Sequence, residues 1–322
     1  MKCSSCSSVS TIYDQGNVFL RSARGDEISM AYDNKEQLFD LLNKLEISDE
    51  EQYVRITGHS DPFQMDSDYI PLSNFKTRLE HSDLIAIISR RKFCSHMQPI
   101  ISAKDEKIYA YEFLLRPLPG EPDFQPFQLF DVARQSGLHS FLDRQARISA
   151  IETSARKLPH GIKRFINFLP SSIYNPNYCL SHTFEAIEKY NLDPSDFVFE
   201  VVETEKIDDV NHLQNVFDVY RQSGIRVALD DVGAGFSTTQ LVEELKPDFV
   251  KIDRDIIRNC EQGAGKQRVI QAIVDTAQSY NGIVLAEGIE RLEEWEYLKH
   301  AGVDLGQGFL FGSPQLEPID YT

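Results

Sequence analysis

The segment IRVALDDVGAGFSTTQLVEELKPDFVKID, Ile225 to Asp253, reads as strand, acidic tip, glycine turn, helix and strand, and closes on a second acidic tip. Val227, Ala228 and Leu229 form the short apolar run of a buried parallel strand. The run stops on Asp230-Asp231, and Gly233 and Gly235 then turn the backbone. Leu241, Val242 and Leu245 share a helix that Pro247 ends, and Phe249 to Ile252 make the next strand, with charge at Lys251 and Asp253. Charged tips on neighbouring parallel strands point at one shared site.

The same unit recurs on both sides. Helical stretches closing near Gly161, Gly224, Gly282 and Gly302 lead into short apolar strands that carry Asn167, Asp230, Glu287 and Gln307 at their far ends. Phe197 to Phe199 likewise runs into Glu200. Repetition from about residue 86 to the end suggests a TIM-type (β/α)8 barrel, with a doubly wound sheet as the alternative. Either fold gathers the C-terminal ends of its parallel strands on one face.

Residues 1–85 follow another pattern and suggest a small α/β module. Val18–Arg21 and Ile28–Tyr32 pair as strands, Asn34 caps a helix bearing Leu38, Leu41, Leu42 and Leu45, and Tyr53–Thr57 makes a third strand. No catalytic pattern stands out there, and a sensory or docking role is open. Cys3 and Cys6 form a C-x-x-C pair, but no second pair follows at zinc-ribbon spacing, and five cysteines do not suggest a disulfide framework.

A formal net charge of −17 over 322 residues argues against DNA binding, which needs a basic face. It also repels phosphorylated substrates, unless bound cations reverse the local field. No apolar run approaches the ~18 residues of a membrane span, and the N-terminus lacks a signal core, so a cytoplasmic protein is expected.

The polar tips are Glu112, Asn167, Glu200, Asp230, Asp231, Lys251, Asp253, Glu287 and Gln307. Taken singly, each reads first as a solvated strand end or a helix cap. Together, so many carboxylates at one barrel mouth would repel one another without cations among them. Carboxylates with an amide oxygen are hard ligands suited to Mg²⁺ or Mn²⁺, and the scarcity of strand-end histidines disfavours zinc. Lys251 could form a Schiff base if desolvated and neutral; among carboxylates and metals it would stay charged and orient a water or offset phosphoryl charge.

YEFLLRP (111–117), FINFLP (165–170), FEVVE (199–203), ALDDVGAGFS (228–237), VKID (250–253), AEGIE (286–290) and QGFLF (307–311) resemble, in order, the motifs of the EAL-domain phosphodiesterases. The resemblance covers roughly residues 88–318. It implies hydrolysis of the second messenger cyclic di-GMP to linear pGpG, with two Mg²⁺ or Mn²⁺ ions about 3.5–4 Å apart activating a shared water for in-line attack. It further implies that Glu112, Asn167, Glu200 and Asp230 hold a first ion, that Asp230 bridges to a second, and that Asp231 and Glu287 complete the set, Glu287 serving as ligand or base. Lys251 would hold the attacking water. Gln98, Leu114, Arg116, Asp253, Glu290 and Gln307 would meet substrate, and Glu203 would hold the loop after the Asp230-Asp231 strand. A homodimer and Ca²⁺ that binds without supporting turnover are part of the same expectation.

Phe113 stands where the family has Ala or Val, and Gly233 to Ser237 read Gly-Ala-Gly-Phe-Ser in place of Gly-Thr-Gly-Tyr-Ser. Side chains alternate along a strand, so Phe113 should point away from Glu112. The changed loop bears on rate, and it leaves a second function open: a cyclic di-GMP receptor with little turnover.

Overall fold

In a computed structural model the described residues are 13–44, 52–58, 69–201, 209–233 and 239–319. Cys3, Cys6 and Glu203 lie outside them. The chain divides into two compact units: one takes residues up to Phe93 together with Pro117–Leu142, the other Cys94–Arg116 and the chain from Asp143 on.

The first unit holds a four-stranded sheet in the order β2-β1-β3-β4, formed by β1 (Gly16–Ser22), β2 (Glu27–Tyr32), β3 (Gln52–Gly58) and β4 (Ile70–Pro71), all pairs antiparallel. Alternation puts Val18, Leu20, Val54 and Ile56 on one face, where they pack with Leu38, Leu42, Leu72 and Phe75. Asn34 caps the helix Lys35–Asn43 by accepting the Gln37 N–H at 2.8 Å. The helix Pro126–Gln135, distant in sequence, also belongs to this unit: the Arg78 guanidinium donates to the Ser136 carbonyl, just beyond that helix, at 3.0 Å.

The second unit is built around a closed eight-stranded barrel of β5 (Phe93–Ser102), β6 (Ile108–Pro117), β7 (Lys163–Phe168), β8 (Phe197–Val201), β9 (Arg226–Val232), β10 (Phe249–Ile252), β11 (Ile283–Ala286) and β12 (Leu305–Gln307). Pairs from β6–β7 round to β11–β12 are parallel, with helices between successive strands. β5 departs from the all-parallel pattern and runs antiparallel to β12. Outside the strands, Phe113, Ile166, Phe199 and Val227 pack against helix residues such as Val216, Phe217, Ile270 and Ile273. Phe113 thus faces the helical layer, away from Glu112.

Inside the barrel, each strand contributes one residue to a single apolar cluster: Ile100, Ala110, Phe165, Val198, Ala228, Phe249, Leu285 and Leu305. Phe165 and Phe249 meet edge-to-face, ring centroids 5.0 Å apart. This plug seals the bore and sets the floor of everything above it.

Candidate active site

The side-chain period of a strand is two, so the residue two beyond each plug residue points into the same bore. Beyond Ala110 stands Glu112; beyond Phe165, Asn167; beyond Val198, Glu200; beyond Ala228, Asp230; beyond Phe249, Lys251; beyond Leu305, Gln307. Past the end of β11, Glu287 follows Leu285 by the same step. On β5 the chain runs the other way, and there the equivalent position precedes the plug: Gln98 before Ile100. A polar ring therefore sits directly on the apolar plug.

Its members touch. Gln307 Nε2 donates to Glu112 Oε2 at 2.6 Å and to Gln98 Oε1 at 3.1 Å, and Asn167 Nδ2 donates to Glu112 Oε1 at 3.0 Å. Lys251, 1% exposed, stands at the centre. Its Nζ lies 2.5 Å from Glu287 Oε1, 2.7 Å from Glu200 Oε2, 3.0 Å from Asp230 Oδ1 and 4.0 Å from Glu112 Oε1.

Adjacent residues on a regular strand face opposite ways, so Asp230 and Asp231 could not both reach the bore without a device. β9 provides one. Leu229 pairs with Val250 and Val232 with Ile252, so Asp230 and Asp231 together oppose Lys251 alone: a β-bulge. Asp231 takes a left-handed backbone, φ 52°, and its N–H donates to Asp230 Oδ1 at 3.0 Å. Such a conformation costs a non-glycine residue on the order of 1–3 kcal/mol. The result is that carboxylate oxygens of Asp230, Asp231 and Glu287 all lie within 4.8 Å of one another.

The electrostatics follow from burial. Burial pushes the Glu200 carboxyl well up; Lys251 opposes this, and Glu112 and Asp230 reinforce it. Burial and Asp230 raise Glu287 in the same way against Lys251. Asp230 is raised by burial and by Glu112. Asp231 is pushed up to about 7 by burial and by Asp230. Glu112 is the exception: burial raises it, but Lys251 and the hydrogen bonds it accepts outweigh that, and it lies below the ordinary value. Lys251 keeps its proton, since the surrounding carboxylates override the effect of burial.

Carboxylates held this far above their usual range form a cluster short of positive charge. Among the described residues, both Glu200 oxygens and Glu287 Oε1 are buried without a well-directed hydrogen bond, and Lys251 Nζ stands beside Glu200 Oε2 and Glu287 Oε1. Oxygen donors of this kind fit hard divalent cations, which would bring the raised carboxylates back down.

A cavity of about 580 Å³ opens on the ring, lined by Gln98, Glu112, Leu114, Glu287, Glu290 and Gln307 from the sequence-derived set. The rest of its lining includes Arg254, Asp255, Arg258 and Asn259, with Arg291, Glu294 and Phe309. Arg254 to Asn259 carry one signal in the sequence, that they directly follow the Lys251–Asp253 tip; Arg291 and Glu294 come just after AEGIE, and Phe309 lies within QGFLF. Asp253 and Arg116 are not in the lining. Asp253 caps the short helix Arg254–Ile257, accepting the Asp255 N–H at 2.8 Å, and Arg116 donates to the Leu115 carbonyl at 2.7 Å.

A family model described as EAL domain matches residues 81–314. The chain is 29% identical over 222 residues to the blue light- and temperature-regulated antirepressor BluF of Escherichia coli (strain K12), covering 69% of this chain and 54% of that one. It is 27% identical over 249 residues to the cyclic di-GMP phosphodiesterase PdeF of the same organism, covering 73% and 32%. The chain thus spans about half, or less, of these curated relatives. Among solved structures, a standalone versatile EAL protein from Vibrio cholerae O395 in its c-di-GMP-bound form superposes with a TM-score of 0.65 at 31% identity, covering 71% of this chain and 95% of that one. The manganese/cy-diGMP complex of Klebsiella pneumoniae BlrP1 gives 0.64 at 28%, covering 70% and 56%. With the family model spanning most of the barrel and these relatives agreeing, the chain belongs to the EAL domain family.

Proposed function

We propose that this chain hydrolyses cyclic di-GMP to linear pGpG in a divalent-cation-dependent reaction. The observation that carries the reading is the polar ring on the plug: Glu112, Glu200, Asp230 and Glu287 surround Lys251, Asn167 bonds Glu112, Asp231 adjoins Asp230 and Glu287, and Glu112 and Glu287 reach the cavity. Those residues would hold Mg²⁺ or Mn²⁺, which when bound supplies Lewis-acid polarisation of the phosphate and lowers the pKa of a coordinated water. Relatives of this chain include a protein named as a cyclic di-GMP phosphodiesterase and one crystallised with manganese and cyclic di-GMP.

The chain's own groups supply the remainder. A water oxygen adds to phosphorus as the P–O3′ bond breaks, leaving a 5′-phosphate at one end of the dinucleotide and a 3′-hydroxyl at the other. Glu287 takes the proton of the attacking water at its carboxylate. Lys251, charged and anchored among the carboxylates, orients that water through Nζ–H and offsets charge growing on the phosphoryl oxygens. Gln98, Leu114, Glu290 and Gln307 position the dinucleotide along the cavity.

A second reading, a receptor that binds cyclic di-GMP without turning it over, draws support from the likeness to a protein named as an antirepressor. One assay separates the two: cyclic di-GMP is incubated with the chain in Mg²⁺ or Mn²⁺ and pGpG is followed by chromatography. Release of pGpG that is lost in Glu112→Ala supports the hydrolase. Tight binding without release supports the receptor.

A further inference from the structure

Two cations on the cavity wall have no part in the reading above. Arg254 and Arg258 both line the cavity that holds Glu112, Glu287 and Gln307. Among the described residues, neither guanidinium makes a hydrogen bond or an ion pair, although Asp255 and Glu290 are in the same lining. At the same rim Arg291 does find carboxylates, those of Glu261 and Glu294.

The backbone that carries them is pinned. Lys266 Nζ donates to the carbonyls of Asp255 and Arg258. Glu294, 2% exposed, accepts the Asn259 N–H at 2.8 Å and, from the adjoining segment, the N–H groups of Glu290 and Arg291 at 3.1 Å. Gly288, φ 65°, lets that segment close on Arg254: a Cβ at Gly288 would stand 2.4 Å from Arg254 Cβ. The stem of Arg254 is therefore fixed one residue from Glu287, while its head group makes no polar contact among the described residues. Ordinary solvated surface arginines need no such frame.

The wall is mixed in sign, guanidinium donors beside the carboxylate acceptors of Asp255 and Glu290. Among the purines, guanine matches this array. Its O6 and N7 take a bidentate arginine, and its N1–H and N2–H₂ seek acceptors. Adenine would set its N6 amino group against a guanidinium. We propose that Arg254 and Arg258 read the O6/N7 edge of one guanine of the cyclic dinucleotide and so set the preference for guanine over adenine. This inference rests on the cyclic di-GMP reading and names the residues that make the site base-selective.

The test is calorimetric titration of the full chain, in Ca²⁺ to hold turnover down, with cyclic di-GMP and with cyclic di-AMP. The variants are Arg254→Met, Arg258→Met and the pair, and melting curves check that each folds. Each single variant is expected to weaken cyclic di-GMP binding by roughly 10- to 100-fold while leaving cyclic di-AMP binding unchanged, so that the ratio of affinities collapses in the pair. An equal loss for both ligands would place the arginines on phosphate, and no loss for either would make them solvated; both overturn the proposal. A wild-type chain that binds neither dinucleotide fails at the first titration, and takes down the function as well as this inference. Failure confined to the variants leaves the function standing.

Discussion

Replacing Lys251 by methionine, nearly its equal in length, tests whether the buried ammonium is what keeps the carboxylate ring tolerable in the absence of divalent cations. Four carboxylates lie between 2.5 and 4.0 Å from Nζ. At an effective dielectric constant of about 20 a pair ~3 Å apart attracts by roughly 5–6 kcal/mol, much of it cancelled by the cost of burying the charges. Removing one partner of such a buried arrangement typically costs about 3–5 kcal/mol. For a domain of this size that corresponds to a fall in Tm of roughly 6–20 °C.

The pH dependence carries a sign that a simple packing defect would not. Asp231 already sits at about 7 in the wild type, and Glu200 and Glu287 are well above ordinary carboxylate values. The folded protein therefore holds protons that the unfolded chain has released. Stability from these groups is fully present below the unfolded carboxylate pKa of about 4, and is lost as pH rises through about 7 and beyond. Lys251→Met should steepen that loss, so the gap from wild type in chelator is larger at pH 8 than at pH 5. Mg²⁺ should narrow the gap by binding the folded state. The assay is thermal and urea unfolding at both pH values, with chelator and with Mg²⁺. A variant that melts within about 1 kcal/mol of wild type in chelator, with the same pH slope, refutes the role given to the ammonium.

Asp231→Gly should separate strain from function: glycine accepts φ 52° freely and removes a carboxylate beside Asp230, so the chelated protein should gain about 1 kcal/mol, while stabilisation by added Mn²⁺ falls away in the same melts. Asp143 accepts the Leu169 N–H at 2.9 Å and the Ser172 hydroxyl at 2.6 Å and pairs with the buried Arg147 at 3.1 Å, fixing the turn that follows Asn167. Asp143→Ala leaves that guanidinium its Thr183 bond but no carboxylate and should cost about 3–5 kcal/mol in urea unfolding, whereas Asp143→Asn, which can still accept, should cost less.

The parts of this site that could be read from sequence are those governed by local rules. An apolar run that ends on a polar residue is visible in Phe165-Ile166-Asn167 or Phe197-Val198-Phe199-Glu200 because the period of two operates within a few residues. The strand-end pattern marks Asp231 and the family resemblance marks Gln98, but the geometry that brings them in, and Arg254 altogether, stays hidden for one common reason: each depends on where another strand or segment lies. Gln98 joins the ring because β5 is reversed against β12, and a strand's own sequence does not state its direction. Asp231 joins because β9 holds one residue more than β10 at that point, a mismatch that exists only in the pairing. Arg254 faces the cavity because Gly288, from a different strand end, leaves room for its stem. The helix Pro126–Gln135 belongs with the first unit by the same kind of contact at long sequence separation. The plug ties these together. Once eight apolar residues, one per strand, fill the bore, the next inward positions crowd together in the mouth just above them, staggered between neighbouring strands. Any polar group placed there is then desolvated from below and faces its fellows at a few ångströms. The charge cluster is thus a consequence of packing in the layer beneath it, and a cavity cut into that layer at Phe165 would loosen the ring without touching any of its members.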